Sequence, residues 1–218
     1  YLNGNLAREV NRLHGRTGPV WERRYQAIVV TDEDEAQVDR LKYLLSQSVK
    51  ENLVAKVKHW PGLHFGKTLL EDRQILAGIW IDRTEEYRIK NRGEKVKRED
   101  VTSHHEFRLA QLPCWRHLSY AEYCREVRKL IREIEEKAAL ERKLEGTEVL
   151  GAQTVLENDP ETVPERTKKS YAPRVHGASR EARKEFLTAW GWFFGEYRDA
   201  AEELKKGNKN AAFPEGCF

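Results

Sequence analysis

Tyr43, Gln47 and Lys50 are the side chains of this sequence whose types and spacing could do chemistry together. At about 100° per residue on a helix, positions i, i+4 and i+7 lie over one another, so a phenol, an amide and an ammonium share one polar ridge. A phenol with a pKa of about 10 is a poor nucleophile at neutral pH, and reaction at Tyr43 would need a cation or metal ion beside it. Taken alone, these residues also suit a plainer role, with Tyr43 packed on a neighbouring loop and Gln47 and Lys50 solvated.

The elements that must position this ridge lie between Arg23 and Val54. Gln26 to Val30 is a β-branched run of strand length, and Thr31 follows as an N-cap with Asp32, Glu33 and Asp34 in the first turn, which predicts a helix from near Asp32. Val38, Leu41, Leu45, Val49 and Asn52 or Leu53 then form the core-facing stripe, opposite Tyr43. Upstream, Leu2, Leu6, Val10 and Leu13 predict a first helix that packs in the core and ends at Gly15. The loop from Gly15 to Arg24 sets Arg16, Arg23 and Arg24 among Trp21 and Tyr25. Arginines can clamp phosphates there while rings stack on unpaired bases, or Trp21 can fill the core with the arginines in solvent.

His14, Gly15, Arg16, Gly18, Trp21, Arg24 and Tyr25, followed by Tyr43 and Gln47, match an ordered pattern. The segment His14 to Val54 resembles the C-terminal half of the catalytic domain of single-tyrosine HUH transposases, in particular the REP-associated tyrosine transposases. Where that family more often reads Tyr-Ile-x-x-Asn-Pro, this chain has Tyr43-Leu44-Leu45-Ser46-Gln47-Ser48, so the helix can run on. The family's His-hydrophobe-His metal ligands belong on a strand upstream of this segment. The resemblance therefore implies a fragment whose N-terminal half is missing.

The resemblance implies an α+β, ferredoxin-like domain followed by a mainly helical extension. It implies a bacterial DNA transposase in which Tyr43 attacks a phosphodiester of single-stranded or hairpin DNA and leaves a 5'-phosphotyrosine. Gln47 would help two upstream histidines to hold Mg2+ (or Mn2+). Arg16, Arg23, Arg24, Trp21 and Lys50 would bind DNA, a homodimer would be the working form, and the protein would sit with the nucleoid in the cytoplasm. The alternative is a domesticated DNA-binding protein that no longer cleaves.

Over the whole chain, 34 % of the 218 residues are charged and the net charge is +3, too mild by itself to argue for nucleic acid. Cys114, Cys124 and Cys217 are odd in number and show no pairing motif, which argues against a disulfide framework or a zinc site. No apolar run reaches membrane length. The chain is read as residues 1–58, the C-terminal part of a catalytic domain; 59–118, a mixed extension; 119–145, a long helix; 146–178, a polar and basic linker; and 179–218, a terminal aromatic helix. In the extension Gln74 to Ile81 and His104 to Leu112 read as strands, and His59 and His64 as ordinary loop residues. Ser119 to Glu122 is a capping box. Phe186, Leu187, Trp190, Phe193, Phe194, Tyr197 and Leu204 make so aromatic a stripe that burial is expected.

Overall fold

The computed structural model describes residues 2–21, 27–159 and 172–217. Seven α-helices and four short strands follow one another among them: α1 (Leu2–Leu13), β1 (Val29–Val30), α2 (Asp34–Lys50), α3 (Phe65–Leu70), β2 (Ile75–Ile81), α4 (Arg83–Asn91), β3 (Thr102–Arg108), α5 (Tyr120–Glu145), α6 (Ala152–Glu157), β4 (Val175–His176) and α7 (Arg180–Lys205). The class is mixed α+β, with helix dominant. The sheets of the described residues are both two-stranded, β1 with β4 and β2 with β3, the latter antiparallel with Ile75 opposite Arg108 and Ile81 opposite Thr102.

The chain divides into two compact units, which cut across the segments read from sequence. One contains residues 1–29, 171–176 and 181–218; the other contains 30–170 and 177–180. The second unit holds the core. Leu41, Leu45 and Val49 of α2 share one buried cluster with Val54, Val57, Leu69 and with Tyr123, Cys124, Val127, Leu130, Ile131 and Ala138 of α5. Both helices carry their apolar residues at three-to-four spacing, so each buries one stripe and leaves its polar faces to line clefts beside the seam.

Local chemistry sets the ends of these helices. Ser119 Oγ accepts the Glu122 backbone N–H, and Glu122 Oε2 accepts the Ser119 N–H at 2.9 Å, so the capping box starts α5 as expected. Gly146 ends α5 at a φ of 65°, a left-handed conformation that glycine adopts without a Cβ penalty. The start of α2 differs from expectation. Its N-cap is Glu33, two residues beyond Thr31, and the Thr31 hydroxyl donates to Glu33 Oε2 at 2.7 Å.

Glu33 has its own partners. Its carboxylate accepts the backbone N–H groups of Ala178 and Ser179 at 2.8 and 3.0 Å. With the Ser179 hydroxyl as the largest influence and that of Thr31 next, its pKa is pulled down to about 2.

Other expectations are corrected here. The strand predicted from Gln26 is formed only at Val29–Val30, with Gln26 itself outside the described residues. Leu6 and Leu13 of α1 are exposed rather than core-packed. The linker contains the helix α6, whose approach is fixed by hydrogen bonds from Leu150 and Gly151 to the carbonyls of Asn52 and Leu53. The aromatic stripe of α7 is also largely exposed: Ala200 is its one buried residue among those described, and Leu187, Trp192, Phe194 and Tyr197 face outward. Part of it finds local cover, since Trp190 stacks on Phe194 at 5.0 Å and Arg174 lies 3.8 Å from the Trp190 ring centre. Among the described residues no helix is long and apolar enough to cross a membrane.

Candidate active site around Tyr43

Tyr43 projects from the face of α2 opposite its buried stripe, and 47 % of its surface is exposed. It opens into a cleft of about 460 Å3 between α2 and α5. The walls come from Asp39, Lys42 and Ser46 on α2 and from Glu133, Lys137 and Glu141 on α5. Two cations cover the ring: the Arg40 guanidinium carbon lies 5.1 Å and the Lys50 ammonium 6.0 Å from its centre. Both are positioned by helix periodicity, Arg40 one turn before Tyr43 and Lys50 two turns after it. Lys42 bridges the cleft to Glu133 at 3.2 Å and ties the two walls together.

Tyr43 and Lys50 thus meet as the spacing predicts. Gln47 does not join them. It is not among the cleft-lining residues, and its Nε2 donates to the Tyr43 carbonyl at 3.2 Å, which turns the amide along its own helix. The amide oxygen is a donor of the kind Mg2+ takes, but it is one neutral ligand where that ion wants an octahedral oxygen set. Among the described residues no group of three His, Cys, Asp or Glu side chains could hold a metal ion. The residues present do not by themselves fit Mg2+, and no chemical step is derived through it.

The DNA-binding candidates of the loop fall in the other unit or outside the described residues. Arg16 is half-buried, and its backbone N–H donates to the Asn11 carbonyl, closing the C-terminal turn of α1. Trp21 is half exposed, with its Nε1 donating to the Asn3 carbonyl at 3.0 Å, so its ring is tied to α1. Arg23 and Arg24 lie outside the described residues.

Sequence reasoning missed Arg40, Lys42, Glu133 and Glu141. The first two could have been found at i−3 and i−1 from Tyr43. The carboxylates arrive from α5, about 90 residues along the chain, and nothing local announces them. His64 was also missed as a structural residue: its Nδ1 accepts the Gly66 N–H at 3.1 Å and caps α3, and burial holds its imidazole below the ordinary range against the pull of the Leu44 carbonyl.

Comparison with protein-family models, with curated proteins and with solved structures finds no match for this chain. The functional reading therefore rests on the motif around Tyr43 and on the geometry of its cleft.

Proposed function

We propose that this chain is a DNA transposase of the single-tyrosine HUH class, which cleaves and rejoins single-stranded DNA through a 5'-phosphotyrosine intermediate. The observation that carries this reading is Tyr43, held half exposed at the mouth of a cleft with Arg40 and Lys50 over its ring. Exposure alone does not mark it, since Tyr87 and Tyr197 are 65 % and 43 % exposed; the two cations over its ring set Tyr43 apart among the described tyrosines.

In the cleavage step Tyr43 Oη bonds to phosphorus as the bond from phosphorus to the 3'-oxygen breaks. The phenol gives up its proton and the departing 3'-oxygen gains one. One phosphodiester replaces another, so the 3'-hydroxyl can reverse the step at a second end without an external energy source. Arg40 and Lys50 favour the negative charge that builds on the phenolate and on the phosphate oxygens. A Mg2+ (or Mn2+) ion belongs to the family expectation alone: Gln47, its amide turned along its own helix, would give it at most one ligand, and no step is routed through it. The ferredoxin-like scaffold, the homodimer and the nucleoid location of the family belong to the same proposal.

A second reading, a DNA-binding protein that no longer cleaves, is favoured by one observation. Asp39, Glu133 and Glu141 line the same cleft and oppose an incoming phosphate. Incubating wild type and Tyr43→Phe with Mg2+ and labelled single-stranded hairpins, followed by a denaturing gel, separates the two. A covalent protein–DNA adduct lost in Tyr43→Phe and in chelator is expected. A folded, DNA-binding wild type that forms no adduct would leave the second reading.

A further inference from the structure

A second groove, of about 580 Å3, lies on the other flank of α5 from Glu133, Lys137 and Glu141. Six cations line it: Lys56 and Lys58 from the turn after α2, and Arg125, Arg128, Lys129 and Arg132 from α5. The four on α5 stand at i, i+3, i+4 and i+7, a single stripe about 10 Å long at 1.5 Å per residue. Only two carboxylates, Glu126 and Glu135, share the lining, and Glu135 already accepts the Val57 backbone N–H at 2.9 Å.

Ion pairing accounts for part of this charge. Arg128 is tied to Asp72, and Arg125 reaches Glu122 at 3.6 Å. Lys56, Lys58, Lys129 and Arg132 have no ion pair among the described residues, and all four are exposed. They converge on one concavity whose floor is Leu70 and Ile131. Cations scattered for solubility would alternate with acids, as they do along α4, where Arg83 and Lys90 pair with Glu86 and Arg88 with Glu85. The groove thus concentrates unpaired positive charge on a chain of net charge only +3.

We infer that this groove, framed by Lys56, Lys58, Lys129 and Arg132, binds the phosphate backbone of single-stranded DNA at a site separate from the Tyr43 cleft. The choice of DNA over other polyanions rests on the function proposed above; the clustering of cations does not. Among the described residues no aromatic ring lines the groove, so the groove reads charge and spacing rather than base identity. It gives the strand a second hold, on the far side of the helix that forms one wall of the Tyr43 cleft.

The test is fluorescence anisotropy of labelled d(T)20 with the full chain over a salt series. Wild type is compared with Lys129→Gln/Arg132→Gln and with Lys97→Gln, an exposed lysine outside the groove. The three substituted positions are all exposed, and circular dichroism checks that the folds match. The double variant should bind more weakly, and the slope of log K against log salt should shrink by about 1.4, or about 0.7 for each phosphate no longer neutralised. Lys97→Gln should match wild type.

A wild type that does not bind d(T)20, a double variant with the wild-type slope, or an equal loss in Lys97→Gln would each overturn the inference. So would an acidic polyglutamate peptide that binds as tightly as d(T)20 at equal salt. The Tyr43 adduct is scored separately. An adduct with an unchanged slope sinks the groove alone, and a reduced slope with no adduct sinks the transposase alone.

Discussion

Glu135 Oε1 on α5 accepts the backbone N–H of Val57 at 2.9 Å, although the two residues are 78 positions apart. Val57 is buried in the core, so its N–H has no water to turn to. Glu135→Ala should destabilise the chain by about 1–3 kcal/mol, the cost of leaving a buried donor unpaired, while Glu135→Gln keeps an acceptor and should lose less. Urea unfolding of the three proteins checks the order.

The two faces of α2 should respond oppositely. Leu45 is fully buried, and Leu45→Ala should cost about 2–5 kcal/mol through lost transfer energy and the cavity left behind. Tyr43→Phe, on the open face, should change stability by less than about 0.5 kcal/mol while abolishing the covalent adduct. A large loss of stability in Tyr43→Phe would make the residue a packing group.

The cations over the ring give a graded test. Arg40→Ala and Lys50→Ala should each slow adduct formation without changing the fold, since both act on the charge of the transition state rather than on the core. Single-turnover rates on one hairpin substrate measure this directly, and rates equal to wild type would leave the two residues without a part in the reaction.

Acid should weaken the chain through Glu33. Its folded pKa is about 2 against an ordinary 4.5. Its contribution is therefore fully present above about pH 4.5 and is lost as pH falls towards about 2. Glu33→Gln should flatten that part of the stability curve. His64 acts at milder pH: its imidazole is held below the ordinary 6.5, so the fold prefers it neutral and loses stability as pH falls through that value. His64→Asn keeps an N-cap acceptor and should remove this step, as thermal unfolding between pH 7.5 and 5 at about half-unit steps would reveal.

Close packing around α3 makes Gly66 sensitive. A Cβ there would stand 2.8 Å from the His64 ring and 2.9 Å from Val57 Cγ1. Gly66→Ala should therefore cost about 1–3 kcal/mol by overpacking, read from the same urea transitions.

What sequence shows and what it hides divides by distance along the chain. The capping box of α5, the Gly146 stop, the strand at Ile75–Ile81 and the exposure of Tyr43 all follow from residues within a turn or two of each other. The role of the Glu33 carboxylate could not be read, because its partners Ala178 and Ser179 come from the far end of the sequence. The basic groove was hidden for the same reason. Lys56 and Lys58 look like loop charges and Arg125 to Arg132 like a solvated helix face until folding sets them together. The aromatic stripe of α7 misled in the other direction: periodicity shows which residues share a face, but not what covers it.

The core joins Leu45 and Val49 to Tyr123 and Val127, and this has a consequence for biosynthesis. A ribosome adding roughly 5–20 residues per second leaves the apolar face of α2 without its partner for roughly 5–20 s, until α5 has been made. During that interval α2 is a nascent segment with an exposed greasy stripe, open to holdase chaperones. The helix bearing Tyr43 reaches its final setting only once α5, far along the chain, has emerged.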